Sequence, residues 1–261
     1  MGERALEQTL TRDRAIVLGG LFGILALAWA YLVYMGWSME HMDVAAEMAI
    51  MPRMTDWGAF DLLLVFAMWA IMMAAMMLPS ATPMVVIFAT LSRRRREQQQ
   101  PFVPTSAFVL GYLAVWMGFS LVATLIQWGL LEARLVTRMM EGASPLLGGG
   151  LLVAAGLFQF TPLKRACLAK CGSPLSFIMT QWREGIGGAF VMGLRHGTYC
   201  TGCCWLMMAL LFVFGVMNLL WIAVLSAFVL LEKLLTDGRP LRPASGALLI
   251  LWGAMLITRG I

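Results

Sequence analysis

Between His196 and Met208 the chain reads His-Gly-Thr-Tyr-Cys-Thr-Gly-Cys-Cys-Trp-Leu-Met-Met. Three thiols (Cys200, Cys203 and Cys204), one imidazole and two thioethers fall within thirteen residues of an otherwise apolar stretch, 185–214. At 100° per residue, His196, Cys200, Cys203 and Met207 share a helical stripe roughly 60° wide. Such soft donors suit Cu(I). Cys200, Cys203, Cys204 and His196 alone would equally make a Zn(II) set. The competing reading is that Cys and Met simply fill apolar space.

Methionine is the second anomaly, at 22 of 261 residues. Met68, Met72, Met73, Met76 and Met77 precede Leu78-Pro79-Ser80 in the apolar run 59–91. Positions 68, 72 and 76 are spaced i, i+4, i+8, with 73 and 77 beside them. Met73, Met76 and Met77 lie near the middle of that run, as Cys200 and Cys203 do in theirs, so two soft-ligand faces could meet inside a bundle. A further group, Met39, His41 and Met42 with Met48, Met51 and Met54, falls in the segment 37–58. Thioethers hold Cu(I) under oxidising conditions in which thiols are lost. The alternative for this segment is an amphipathic stretch lying on the membrane surface. Cys167 and Cys171, an i, i+4 pair, could share one metal or act as a thiol pair.

These residues need elements to hold them. The chain is 61% apolar and 13% charged, with a mean hydropathy of +0.81; soluble domains carry about 25% charge. Apolar runs of membrane-spanning length recur. The expectation is an all-α polytopic transmembrane bundle forming a single domain. Seven spans are expected, at about 15–36, 59–91, 106–131, 146–161, 185–214, 217–235 and 244–259. The first run is too long for a secretory h-region and reads as a retained helix. Pro79 and Pro83 predict a kink in the second. With residues 1–14 as a cytoplasmic tail, the inner segments carry fourteen Lys and Arg: Arg4, Arg12, Arg14, Arg93, Arg94, Arg95, Arg96, Lys164, Arg165, Lys170, Arg183, Lys233, Arg239 and Arg242. The outer segments carry Arg53, Arg134, Arg138 and Arg259. This alternation predicts an N-in, C-out membrane protein. It makes 37–58 a Met-rich outer loop, 92–105 an Arg-rich inner loop, and 162–184 an inner loop bearing the Cys167/Cys171 pair. The net charge of +5 is thereby explained by topology, and nucleic acid is not an expected partner; the lipid bilayer is. An odd, clustered set of five cysteines does not fit a secreted disulfide framework.

Arg195 falls inside a span and needs a partner. Glu232, near the end of the next span, is expected at comparable depth, which suggests an Arg195–Glu232 pair and a larger cost for Arg195→Ala than for Glu232→Gln. Gly193 and Gly197 flank His196 at a spacing that lets another helix approach closely and bury the imidazole.

No Walker loop, nucleophile elbow or dinucleotide fingerprint is present, so nothing marks an enzyme. In combination, Trp69-Ala-Ile-Met72-Met73-Ala-Ala-Met76-Met77-Leu-Pro79, Phe160-Thr161-Pro162-Leu-Lys164 with Cys167 and Cys171, Gly193-x-x-His196-Gly-x-Tyr199-Cys200-x-Gly202-Cys203-Cys204-Trp205, Met217-Asn218 and Glu232-Lys233 resemble a bacterial family of predicted metal-binding integral membrane proteins of unassigned function. The resemblance covers roughly residues 60–257 and implies metal binding; copper, with zinc as the alternative, is the choice that the donor types suggest. Three functions follow as expectations. The first is Cu(I) handling, by transport or by delivery to a membrane cuproenzyme. The second is a non-catalytic accessory subunit of a membrane complex. The third is thiol-redox chemistry at Cys200, Cys203 and Cys204.

Overall fold

A chain this poor in charge must satisfy its backbone N–H and C=O groups internally, and a helix does so within one segment. The computed structural model of the protein is helical throughout, with no strand among the described residues. It describes the backbone of residues 2–40, 58–99, 103–133, 145–216, 218–235 and 241–259, and their side chains except those of 2–17, 38–40 and Arg96. The elements in chain order are α1 (Gly2–Glu40), α2 (Ala59–Glu97), α3 (Thr105–Glu132), α4 (Pro145–Phe158), α5 (Pro162–Cys171), α6 (Pro174–Gln181), α7 (Gly185–Ala209), the single turn α8 (Leu211–Phe214), α9 (Leu219–Leu234) and α10 (Leu241–Arg259).

Five helices are long and apolar enough to cross a membrane, within Leu18–Trp37, Ala59–Arg95, Thr105–Glu132, Gly185–Phe214 and Leu241–Arg259. The pair α4 and α5, bent by 67°, makes a sixth if it counts as one broken span. The seventh expected run, 217–235, contains only the 16 residues of α9. At 1.5 Å per residue that is about 24 Å, short of the ~30 Å hydrocarbon thickness. The segment 162–184, expected as a loop, instead forms α5 and α6, with Phe177 and Ile178 buried.

Two local devices shape the bundle. Pro79 lacks an N–H, so the carbonyl of Ala75 one turn earlier loses its helical donor. The Trp29 indole of α1 donates to that carbonyl at 3.2 Å, and α2 continues through both prolines as one helix. Against α3, α7 packs at backbone contact. A Cβ on Gly193 would lie 2.0 Å from the Phe108 carbonyl oxygen, and one on Gly111 2.2 Å from that of Phe190. The close approach expected from Gly193 and Gly197 is thus made, and α3 is the neighbour. The core it closes is rich in aromatics and methionine: Trp69, Phe88, Phe108, Tyr112, Trp116, Met72, Met73, Met76 and Met77 are all fully buried.

Candidate metal centre

The inward face of α7 is the stripe the periodicity predicts. His196, Cys200, Cys203, Cys204 and Met207 are all buried there. Successive turns place these groups about 5.4 Å apart along the axis, too far for all of them to meet one ion without help from other helices.

That help comes from α5. Thr161 caps its N-terminus, its hydroxyl oxygen accepting from the Lys164 N–H at 3.3 Å, and Pro162 occupies the first turn where its missing N–H costs nothing. The bend at residues 159–161 turns α5 back against α7. Cys171, its last residue, is buried with its thiol within reach of those of Cys200 and Cys203. Cys204 is in turn within reach of Cys200 and Cys203. The four sulfurs therefore close a ring, Cys171–Cys200–Cys204–Cys203. All the cysteines are free thiols. Cys203 and Cys204 each donate to the Cys200 carbonyl oxygen at 3.0 Å. In these rotamers, no three His, Cys, Asp or Glu of the described residues form a ready-made ion cage. Cys167, one turn before Cys171, is only half-buried, and its Sγ would lie 2.9 Å from a Cβ added at Gly202. Glycine at 202 is what lets this fifth thiol seat against α7.

The Cys167/Cys171 pair, expected on an inner loop, thus lies against the helix that carries the other three cysteines. The reason is the 67° bend, which brings α5 alongside α7 rather than away from it.

Polar groups from three more helices complete the surroundings. Lys233 of α9 donates from Nζ to Cys200 Sγ at 3.0 Å and to Ser80 Oγ of α2 at 2.6 Å. The Tyr112 hydroxyl of α3 lies 3.1 Å from Cys200 Sγ and donates to the Met77 carbonyl at 3.1 Å. Ser226 of α9 donates to the Met76 carbonyl at 3.1 Å. The α2 turn bearing Met76 and Met77 is thus one side chain away from Cys200. Met73 is fully buried on the same helix. Met207 Sδ accepts from Gln159 Nε2 at 3.6 Å. The His196 ring sits among Phe108, Tyr112 and Phe177, with centroids 6.0, 5.7 and 5.4 Å away, and its buried Nδ1 has no hydrogen-bond partner.

The expected Arg195–Glu232 pair is not formed. Arg195 is exposed and donates to Gln181 Oε1 of α6. One residue from His196 means 100° of rotation, and that carries the guanidinium off the inward face. Glu232 pairs instead with Lys164 of α5, Nζ to Oε2 2.9 Å, both side chains almost wholly buried. Lys164 and Lys233, which the sequence assigns to the inner segments, are both buried in the core. For Lys164 the available sequence signal was its place three residues before Cys167, and for Lys233 its place beside Glu232 at the end of an apolar run. Met39, His41 and Met42 belong to the stretch whose side chains lie outside the described residues.

A family model described as "PpoB2: Copper chaperone" matches residues 66–256, which include the α2 methionines, all five cysteines, His196 and Lys233. The chain belongs to this copper chaperone family. No curated protein and no solved structure matches it. Copper is accordingly the metal that the family supports, and zinc finds no such support. For a copper chaperone the metal is cargo, and the donor set suits that cargo: polarizable thiols and thioethers, together with an imidazole nitrogen that has no other partner.

Proposed function

We propose that this copper chaperone is an integral protein of the bacterial inner membrane, N-in and C-out, that holds Cu(I) at the ring of Cys171, Cys200, Cys203 and Cys204 and hands it to a membrane cuproenzyme. The observation that carries this reading is the meeting of thiols from two helices, α5 and α7, in a buried polar pocket. Incidental cysteines spread through an apolar core have no reason to gather against a lysine and a tyrosine. Cu(I) is held well by two or three sulfurs, so a ring of four offers several overlapping pairs. Ligand exchange within such a ring lets an ion move without ever being bare. Cys167, half-buried at the rim, is placed to exchange with Cys171. His196, Met207, Met73, Met76 and Met77 are secondary donors along the core. Met39 and Met42 would offer thioethers, and His41 an imidazole, on the oxidising side of the membrane.

The test is the metal content of protein purified anaerobically in detergent after growth with copper. Cys200→Ser/Cys203→Ser is expected to remove the bound copper, and Met76→Leu/Met77→Leu to weaken copper retention while leaving zinc retention unchanged. Leucine preserves volume and apolarity, so folding survives. Full copper content in the thiol double variant would sink the reading and return the cysteines to packing.

A further inference from the structure

Two lysines are buried in the bundle, Lys164 on α5 and Lys233 on α9, and they differ in one respect. Lys164 has a carboxylate, Glu232, at 2.9 Å. Lys233 is only 5% exposed and has none: among the described residues no Asp or Glu lies within ion-pair range of its Nζ. Its contacts are Ser80 Oγ at 2.6 Å and Cys200 Sγ at 3.0 Å. An ammonium held away from water without an anion is costly, and such groups persist where a partner is supplied. The sulfur of Cys200 is the group in position to supply it.

We propose that Lys233 is the counter-cation of the bound cargo, so that the juxtaposition of Lys233 Nζ, Cys200 Sγ and the Cys171 thiol makes the ring a receptor for a monovalent soft cation. This inference rests on the copper reading above and adds the basis of its selectivity. A Cu(I) ion on two thiolates carries one net negative charge. Lys233 brings the buried assembly to neutrality. A divalent ion on the same two thiolates is neutral by itself, and with Lys233 beside it the core would hold an uncompensated positive charge, so a divalent ion reaches neutrality only by deprotonating and recruiting a third ring thiol. The low dielectric that makes a buried charge expensive thereby becomes a filter on cargo charge. Ser80 acts as a positioning residue. Its hydroxyl oxygen fixes Nζ on the side of Cys200, and its own proton goes to the Met77 carbonyl at 2.9 Å.

The full-length protein in detergent, kept anaerobic, is titrated with Cu(I), Ag(I) and Zn(II) against competing chromogenic chelators. Lys233→Met keeps the chain length and apolar bulk and deletes the charge. It is expected to lower Cu(I) and Ag(I) affinity by about tenfold to a hundredfold, the range for a hydrogen bond to a charged group, while Zn(II) affinity holds or rises. Lys233→Arg should restore most of the monovalent affinity. Ser80→Ala leaves the charge and removes its anchor, and should lower Cu(I) and Ag(I) affinity by about threefold, again sparing Zn(II). It keeps the inference testable if Lys233→Met does not fold. Equal losses for monovalent and divalent ions, or unchanged affinities in Lys233→Met and Ser80→Ala, would overturn the role given to Lys233. Failure of the wild-type protein to bind Cu(I) at all would instead overturn the copper site itself.

Discussion

Glu232→Gln tests the charge arrangement around the centre most directly. The Lys164–Glu232 pair has Nζ and Oε2 2.9 Å apart, with side chains 0% and 2% exposed. At an effective dielectric of 20, two unit charges at that separation attract by about 6 kcal/mol. Much of this is offset by the cost of desolvating both ions, so the pair as a whole contributes little net stability. Removing one member is different, because the other stays buried with nothing to balance it. Glutamine keeps the shape of glutamate and leaves the Lys164 ammonium uncompensated, so the variant should lose about 3–5 kcal/mol. Lys164→Met should cost a similar amount. Lys164→Met/Glu232→Gln should recover most of the loss, giving a coupling of several kcal/mol where independent sites would give none. Arg195→Ala, at an exposed hydrogen bond to Gln181, should cost no more than about 1 kcal/mol. This ranking reverses the one that span depth alone suggests. The assay is equilibrium unfolding in mixed micelles, followed by Trp fluorescence. A loss below about 1 kcal/mol for Glu232→Gln, or additive losses in the double variant, would refute the reasoning.

Other outcomes follow from geometry already described. Gly193→Ala puts a Cβ 2.0 Å from the Phe108 carbonyl oxygen, so α3 and α7 must part; about 1–3 kcal/mol of destabilisation is expected in the same unfolding assay. Gly202→Ala meets Cys167 Sγ at 2.9 Å, a side chain that can turn away, so stability should hold while copper transfer to a soluble chelator slows in stopped-flow measurements. Trp29→Phe leaves the Ala75 carbonyl without its donor and should cost about 1 kcal/mol. Reporter fusions after Gln98 and after Met140 should report opposite compartments; matching compartments would remove the N-in, C-out orientation.

The helical class and the inward face of α7 could be read from sequence because both depend on local periodicity. A 3.6-residue repeat fixes which side chains of one helix share a face, and His196, Cys200, Cys203 and Met207 obeyed it. The contact between α3 and α7 was half legible, since Gly193 and Gly197 announced a close neighbour without saying which. What was not legible required knowing how separate segments turn. Cys171 meets Cys200 because Thr161 and Pro162 start a new helix at a sharp angle, and no periodicity records that angle. Arg195 and Glu232 were matched by depth, but depth ignores rotation about the helix axis, and 100° was enough to part them. Lys164 and Lys233 were misjudged because a lysine near the end of an apolar run normally marks an interface. Here the chain folds back over them.

The origin of the sulfur ring also limits how the site can be moved or dissected. The segment from His196 to Met208 resembles a self-contained ligand motif, and it would be natural to graft it onto another helix or synthesise it as a peptide. Such a transplant would carry three of the four ring thiols. It would leave behind Cys171, which arrives from α5, and Lys233, which arrives from α9. The copied segment would be a generic thiol-rich helix, open to divalent ions and to oxidation. The smallest portable unit runs from the α2 methionines through Lys233, nearly the whole stretch matched by the copper chaperone family.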